Sequence, residues 1–285
     1  MTLIIPPKIQ NIGFTVKRLF PSQLQQRVGP FIFFDHMGPA HFEAETTAGD
    51  VRQHPHIGLA TVTYLFSGAM MHRDSLGVVQ RIEPGEINLM TAGRGIVHSE
   101  RMPEDIRTDS IAVEGIQTWL ALPVEEEDCE PSFTHYAAHQ IPTVELEKIS
   151  ARLLIGKAFG VESPVKTASP TVYIDMQMEV GAEYLVDFPN QEIAIYLVEG
   201  KVKIDGEDLE VSHVAVVDTG SKIVATENTR LMLFGGESLA GARCIFWNFV
   251  ASSREKIRAA SGRWADNQFA LVPGETEFIP LPKID

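Results

Sequence analysis

Apolar and polar residues alternate along this chain in short bursts. Runs of about four to eight residues, rich in Val, Ile, Phe, Tyr and Thr, recur between Gly, Pro, Asn and Asp. They fall at Pro30–Phe34, Ala60–Phe66, Glu86–Met90, Gln117–Leu122, Ala151–Ile155, Ile193–Val198, His213–Val217, Arg230–Phe234 and Arg243–Val250. Many short strands with regular turn signals predict an all-β sandwich or barrel. Helical periodicity is convincing only near the C-terminus. There Ser252 and Glu255 have capping-box spacing, residues 254–260 are mostly helix formers, and Gly262 stands where the helix should stop.

One strand pattern occurs twice. Thr61-Val-Thr-Tyr-Leu-Phe-Ser-Gly68 resembles Ile193-Ala-Ile-Tyr-Leu-Val-Glu-Gly200, with Tyr64, Leu65 and Gly68 recurring 132 positions on at Tyr196, Leu197 and Gly200. A turn ending in glycine follows each copy, at Pro84-Gly85 and Asp218-Thr-Gly220. The repeat predicts two similar antiparallel barrels. The acidic, Pro-flanked stretch Pro123–Pro131 is a suitable connection, giving expected domains of residues 1–130 and 131–285.

Composition removes several classes of function. Of 285 residues, 44% are hydrophobic and 22% charged, and formal net charge is −14. So acidic a surface repels phosphate backbones, and no run of Lys and Arg offsets it, so direct nucleic-acid binding is not expected. The two cysteines, Cys129 and Cys244, are far apart and outside any C-x-x-C pair, as in a reduced compartment. No stretch has the length of a membrane span, and the first ten residues lack the order of a signal peptide, so a soluble cytoplasmic protein is the expectation.

Candidate chemistry lies in the first half. His54-Pro-His56 and His98-Ser-Glu100 each place two ligand-type residues at i and i+2, on one face of a strand. Three imidazoles and one carboxylate suit Fe, Ni, Cu or Zn, and on an octahedral ion they leave two positions open. Surface histidines beside a turn are the competing reading of His54-x-His56 alone, and His98-x-Glu100 alone is a weaker signal still. The second repeat carries Val186 and Phe188 where His54 and His56 stand in the first, so one metal site in the N-terminal barrel is expected. His72 and Asp74, after the Gly68 turn, suit a loop or a supporting role behind the ligands. His36 and His41, beside Gly38-Pro39, read as loop residues, with His36 a candidate for the pocket mouth. His135 and His139 lack the glutamate of a metalloprotease motif. Glu125–Glu127 with Asp128 read as a solvated acidic face.

Longer motifs resemble the pirin family. These are His54-Pro-His56-Ile-Gly58, Thr61–Leu65, Met90-Thr-Ala-Gly-Arg-Gly-Ile-Val-His98-Ser-Glu100, Phe246–Ser253, and Gly29-Pro-Phe31 followed by Phe34-Asp-His36. The likeness runs from about residue 12 to 281. It implies a bicupin of two antiparallel jelly-roll-like β-barrels with a short C-terminal helix. It also implies one divalent metal per chain, bound by His54, His56, His98 and Glu100, with Fe(II) first and Zn, Ni, Cu, Mn or Co as other candidates. The general cupin glutamate shortly after H-x-H is absent, since Ala60 and Thr61 stand there, and Glu100 takes the carboxylate role.

Some members of the family resemble quercetin 2,3-dioxygenases, which open a flavonol ring with O₂. Others act as metal-bound regulators of transcription factors or metabolic enzymes. The resemblance therefore implies a small aromatic substrate and O₂ for an enzyme, or a protein partner for a redox sensor. Glu100 would be the base for the substrate hydroxyl, and His36 and His72 would line the pocket. A metal that only stabilises the barrel is the third reading.

Overall fold

In the computed structural model, which describes residues 3–283, the strand runs form the expected all-β architecture. The described chain divides into two compact units that interleave rather than follow one another. One comprises the described residues up to Ile9, Lys17–Asp35 and Tyr136–Leu239; the other comprises Gln10–Val16, His36–His135 and the described residues from Ala240 on. Along the sequence, two early segments thus join the C-terminal unit, and the chain after Leu239 returns to the N-terminal one.

The C-terminal unit is a two-sheet barrel. Its seven-stranded sheet runs in the order Leu3–Ile5, Val214–Val217, Glu192–Glu199, Thr229–Gly236, Thr171–Met178, Ile149–Ile155, Thr143–Leu146. A four-stranded sheet is made by Glu183–Leu185, Lys222–Ala225, Val202–Ile204 and Glu207–Leu209. Inward residues of both sheets, including Ile193, Ile195, Leu233, Val202 and Ile223, share one apolar core. Val186 and Phe188 are buried in that core, so apolar packing fills the positions that correspond to His54 and His56.

The N-terminal unit repeats the plan. One of its sheets includes the neighbouring strands Ile87–Thr91, Leu59–Ser67 and Val113–Ala121; the other runs Val51–His56, Ile96–Arg101, Met70–Asp74, Val79–Ile82. The repeated motif occupies the strands Leu59–Ser67 and Glu192–Glu199. Both end on a glycine with positive φ, and a Cβ would lie 2.9 Å from the Ala112 carbonyl oxygen at Gly68 and 2.3 Å from that of Asn228 at Gly200. The recurring glycines thus reflect the same tight strand exit in each barrel.

Several local expectations change. The strand expected at Pro30–Phe34 runs on to Ala40, so His36 is a strand residue rather than a loop residue. The run Arg243–Val250 breaks at Trp247, whose φ is +53°, into a hairpin of Cys244–Phe246 and Phe249–Ala251. The helix spans Arg254–Ala265 and is capped by Ser253, which accepts from the Lys256 N–H, not by Ser252. It passes Gly262, because Trp264 beyond it is buried among Ile257, Phe249 and Phe269 and anchors the last turn. Glu127 is not on a solvated face: it is buried, accepts from Ser252 N–H and Oγ, and pairs with Lys256.

Candidate metal centre

The strand Val51–His56 lies at an edge of its four-stranded sheet and pairs only with Ile96–Arg101 in that order. An edge position tolerates Pro55, which has no N–H to donate. The chain after Ala240 covers the outside of this strand. Phe278 and Phe249 bridge to Gln53 and Ile57, and the Ile279 N–H donates to the Gln53 carbonyl at 2.9 Å. Gly58 lets the covering chain come this close, since a Cβ there would lie 2.0 Å from the Val250 carbonyl oxygen. Glu275 joins the same cover to the second ligand strand by accepting from Ser99 Oγ and pairing with Arg101.

Antiparallel register sets His98 opposite His54. With His56 at i+2 from His54, the three imidazoles converge, each with a ring nitrogen within 4.8 Å of the others, and all three are buried. Their ring centroids are 4.4 to 5.0 Å apart, and His56 Nε2 and His98 Nε2 are 3.1 Å apart. His54 Nδ1 donates to the Arg52 carbonyl at 2.8 Å, which leaves its Nε2 lone pair free. Burial is the largest influence on all three basicities. It pushes His54 down to about 4 and holds His56 and His98 well below the usual imidazole value, with His54 adding a smaller repulsive push to each. Neutral imidazoles gathered around one point are suited to a cation, so His54, His56 and His98 could hold a metal ion.

Among the described residues Glu100 is not a member of the three-imidazole group. The pairing with Val51–His56 is irregular between His98 and Glu100. Glu100 Oε1 instead accepts from Gln117 Nε2 at 3.2 Å, and Gln117 Oε1 accepts from Thr63 Oγ1 at 2.6 Å. The Glu100 side chain is half-buried, and burial pushes its carboxyl up to about 7. Trp119, two residues beyond Gln117 on one strand face, meets His56 edge-on at 5.2 Å.

His36 is buried, contacts Phe66 edge-on and lies 3.0 Å from Glu114 Oε1. His72 is likewise a buried strand residue, set behind His98 rather than in a loop. His41 remains exposed, within hydrogen-bond distance of the Ser110 carbonyl, and His135 meets Asn88 Oδ1. Thr63, Gln117 and Trp119 escaped the sequence reading. The available signal was a glutamine and a tryptophan at i and i+2 inside an apolar run.

Fold and site together define a two-cupin protein with its histidine cluster in the N-terminal cupin. Comparison with known proteins gives the family. A family profile described as Pirin matches residues 13–120, and the Pirin C-terminal cupin domain matches residues 173–270. A pirin-like protein of Caulobacter vibrioides is 42% identical over 99% of both chains. Human pirin is 30% identical over 88% of this chain and 86% of its own. The solved structure of quercetin 2,3-dioxygenase from Acinetobacter baumannii superposes with a TM-score of 0.91 at 32% identity, covering 100% of this chain and 96% of that one. This chain belongs to the pirin family.

Proposed function

We propose that this protein is a metal-dependent dioxygenase of the quercetin 2,3-dioxygenase type, acting on a small flavonol-like substrate with O₂. The observation that carries the reading is the convergence of His54, His56 and His98 at one buried point in a chain so similar to a quercetin 2,3-dioxygenase structure. One divalent cation on these imidazoles, Fe(II) first, would act as a Lewis acid and template for the substrate's hydroxyl and neighbouring carbonyl. Glu100, two residues beyond His98 on the same strand, takes the hydroxyl proton as general base. Gln117, itself oriented by Thr63, holds the Glu100 carboxyl in place for that transfer. Trp119 supplies an apolar wall against His56.

The test is metal analysis of the purified protein, joined to aerobic turnover of quercetin across reconstituted metals. The reading expects O₂ uptake and bleaching of quercetin above the free-metal background with at least one divalent ion. Stoichiometric metal with no turnover on any ion would refute the flavonol assignment and favour a metal-bound sensor.

A further inference from the structure

Behind His98 stands a buried pair that the three-imidazole cluster itself does not include. His98 Nδ1 and His72 Nδ1 are 3.4 Å apart, at the long end for such a bond. His72 Nε2 lies 2.9 Å from Asp74 Oδ2. Asp74 has no exposed surface, and its Oδ1 accepts from the N–H groups of Leu76 and Val78 at 2.9 and 3.1 Å. Phe133 stacks on the His72 ring at 4.4 Å and 19°. Ring, carboxylate and turn are therefore fixed on several sides.

Donors and acceptors follow in order from the Asp74 end. A carboxylate only accepts, so His72 donates from Nε2 and presents Nδ1 as an acceptor. His98 then donates from Nδ1, and its lone pair lies on Nε2, the atom beside His56 Nε2. We propose that His72 and Asp74 are positioning residues that set the tautomer and ring orientation of His98 for the cation. The inference rests on the reading that His54, His56 and His98 hold the metal. His54 achieves the same end through a backbone carbonyl, whereas His98 is served by an imidazole backed by a carboxylate. Such outer partners commonly govern metal affinity as strongly as 10–100-fold.

Asp74→Asn inverts the order. Two backbone N–H groups hold the side-chain oxygen, so the amide nitrogen faces His72 Nε2. His72 must then accept at Nε2 and donate from Nδ1, which forces the His98 proton onto Nε2, where the metal should bind. His72→Phe removes the link and keeps the stack on Phe133. His72→Gln restores an oxygen able to accept from His98 Nδ1.

Zn(II) affinity of the full chain is measured by chelator competition for wild type, D74N, H72F, H72Q and H72F/D74N. D74N is expected to weaken binding about 10–100-fold. H72Q should bind more tightly than H72F, and D74N should cost nothing further in the H72F background. Long-range ¹H–¹⁵N spectra of the zinc-loaded wild type should show His98 protonated at Nδ1. Wild-type affinity in D74N, an equal D74N loss with and without His72, or a His98 protonated at Nε2 would each overturn the proposal. Should D74N not fold, equal losses in H72F and H72Q would overturn it instead. Failure of the underlying site looks different: the wild type would take no stoichiometric zinc, or His98→Ala would keep it, and both readings would fall.

Discussion

Replacing Glu100 by glutamine asks what the barrel spends to keep a buried carboxyl two residues from His98. The group titrates at 4.5 when free and at about 7 in the metal-free barrel, because burial disfavours its charge. A folded value above the unfolded one means that the folded chain holds the proton more tightly. The stability tied to that proton is fully present below about pH 4.5 and is lost as pH rises through about 7. At 1.36 kcal/mol per pH unit, the interval from 4.5 to about 7 amounts to about 3 kcal/mol. Partial solvation of the half-buried side chain brings this to about 1–3 kcal/mol. Glutamine is neutral throughout and keeps an oxygen for Gln117 Nε2. Glu100→Gln should therefore be more stable than the wild type by about 1–3 kcal/mol at pH 8, with the difference closing towards pH 4.5. Urea unfolding in the presence of a chelator, repeated across this range, reads the difference directly. A wild type that is the more stable at pH 8, or a difference that does not change with pH, would refute the reasoning. In turnover the substitution should act the other way: activity should fall by a larger factor than metal content, by about 10²–10⁴ if Glu100 is the base.

Metal content should be near one equivalent per chain, with His98→Ala well below that by elemental analysis; two tight equivalents, one in the C-terminal barrel, would contradict the apolar packing of Val186 and Phe188. Acid should destabilise the metal-free protein. The three buried imidazoles resist protonation, so their contribution is present above about pH 6.5 and lost as pH falls towards about 4, while Glu100 opposes them over much of that window. Melting in chelator should thus fall between pH 7 and 5, more steeply in Glu100→Gln, and an unchanged slope in that variant would count against the signs assigned here. Gly58→Ala should lower stability by about 2–3 kcal/mol, from a left-handed φ of +68° and the lost Val250-to-Ile57 hydrogen bond. That corresponds to roughly 5–10 °C in Tm; an unchanged Tm would show that the covering segment adapts without cost.

Strands, the doubled barrel and the paired spacing of His54, His56 and His98 were legible along the chain because each rests on local geometry. Side chains two apart on a strand share a face whatever the rest of the chain does. The turn glycines Gly68 and Gly200 were visible for the same reason, since positive φ is a local demand. Beyond that range the sequence was silent or misleading. Glu100 has the spacing of a ligand, and its partner Gln117, 17 residues on, is not visible in that spacing. For His72 the spacing left a loop or a supporting role open; sheet pairing sets it opposite Glu100, with its ring 3.4 Å from that of His98, 26 positions on. The run of acids at Glu125–Asp128 looked solvated until Lys256 and Ser252 closed over Glu127 from about 125 residues away. The return of the chain after Leu239 to cover the ligand strands left no periodic mark. Local sterics and strand pleat fix which residues can share a face, and the sequence carries that in its spacing. Which distant partner satisfies each buried polar atom is decided only when the sheets pair and water is excluded, and that is a property of the tertiary structure.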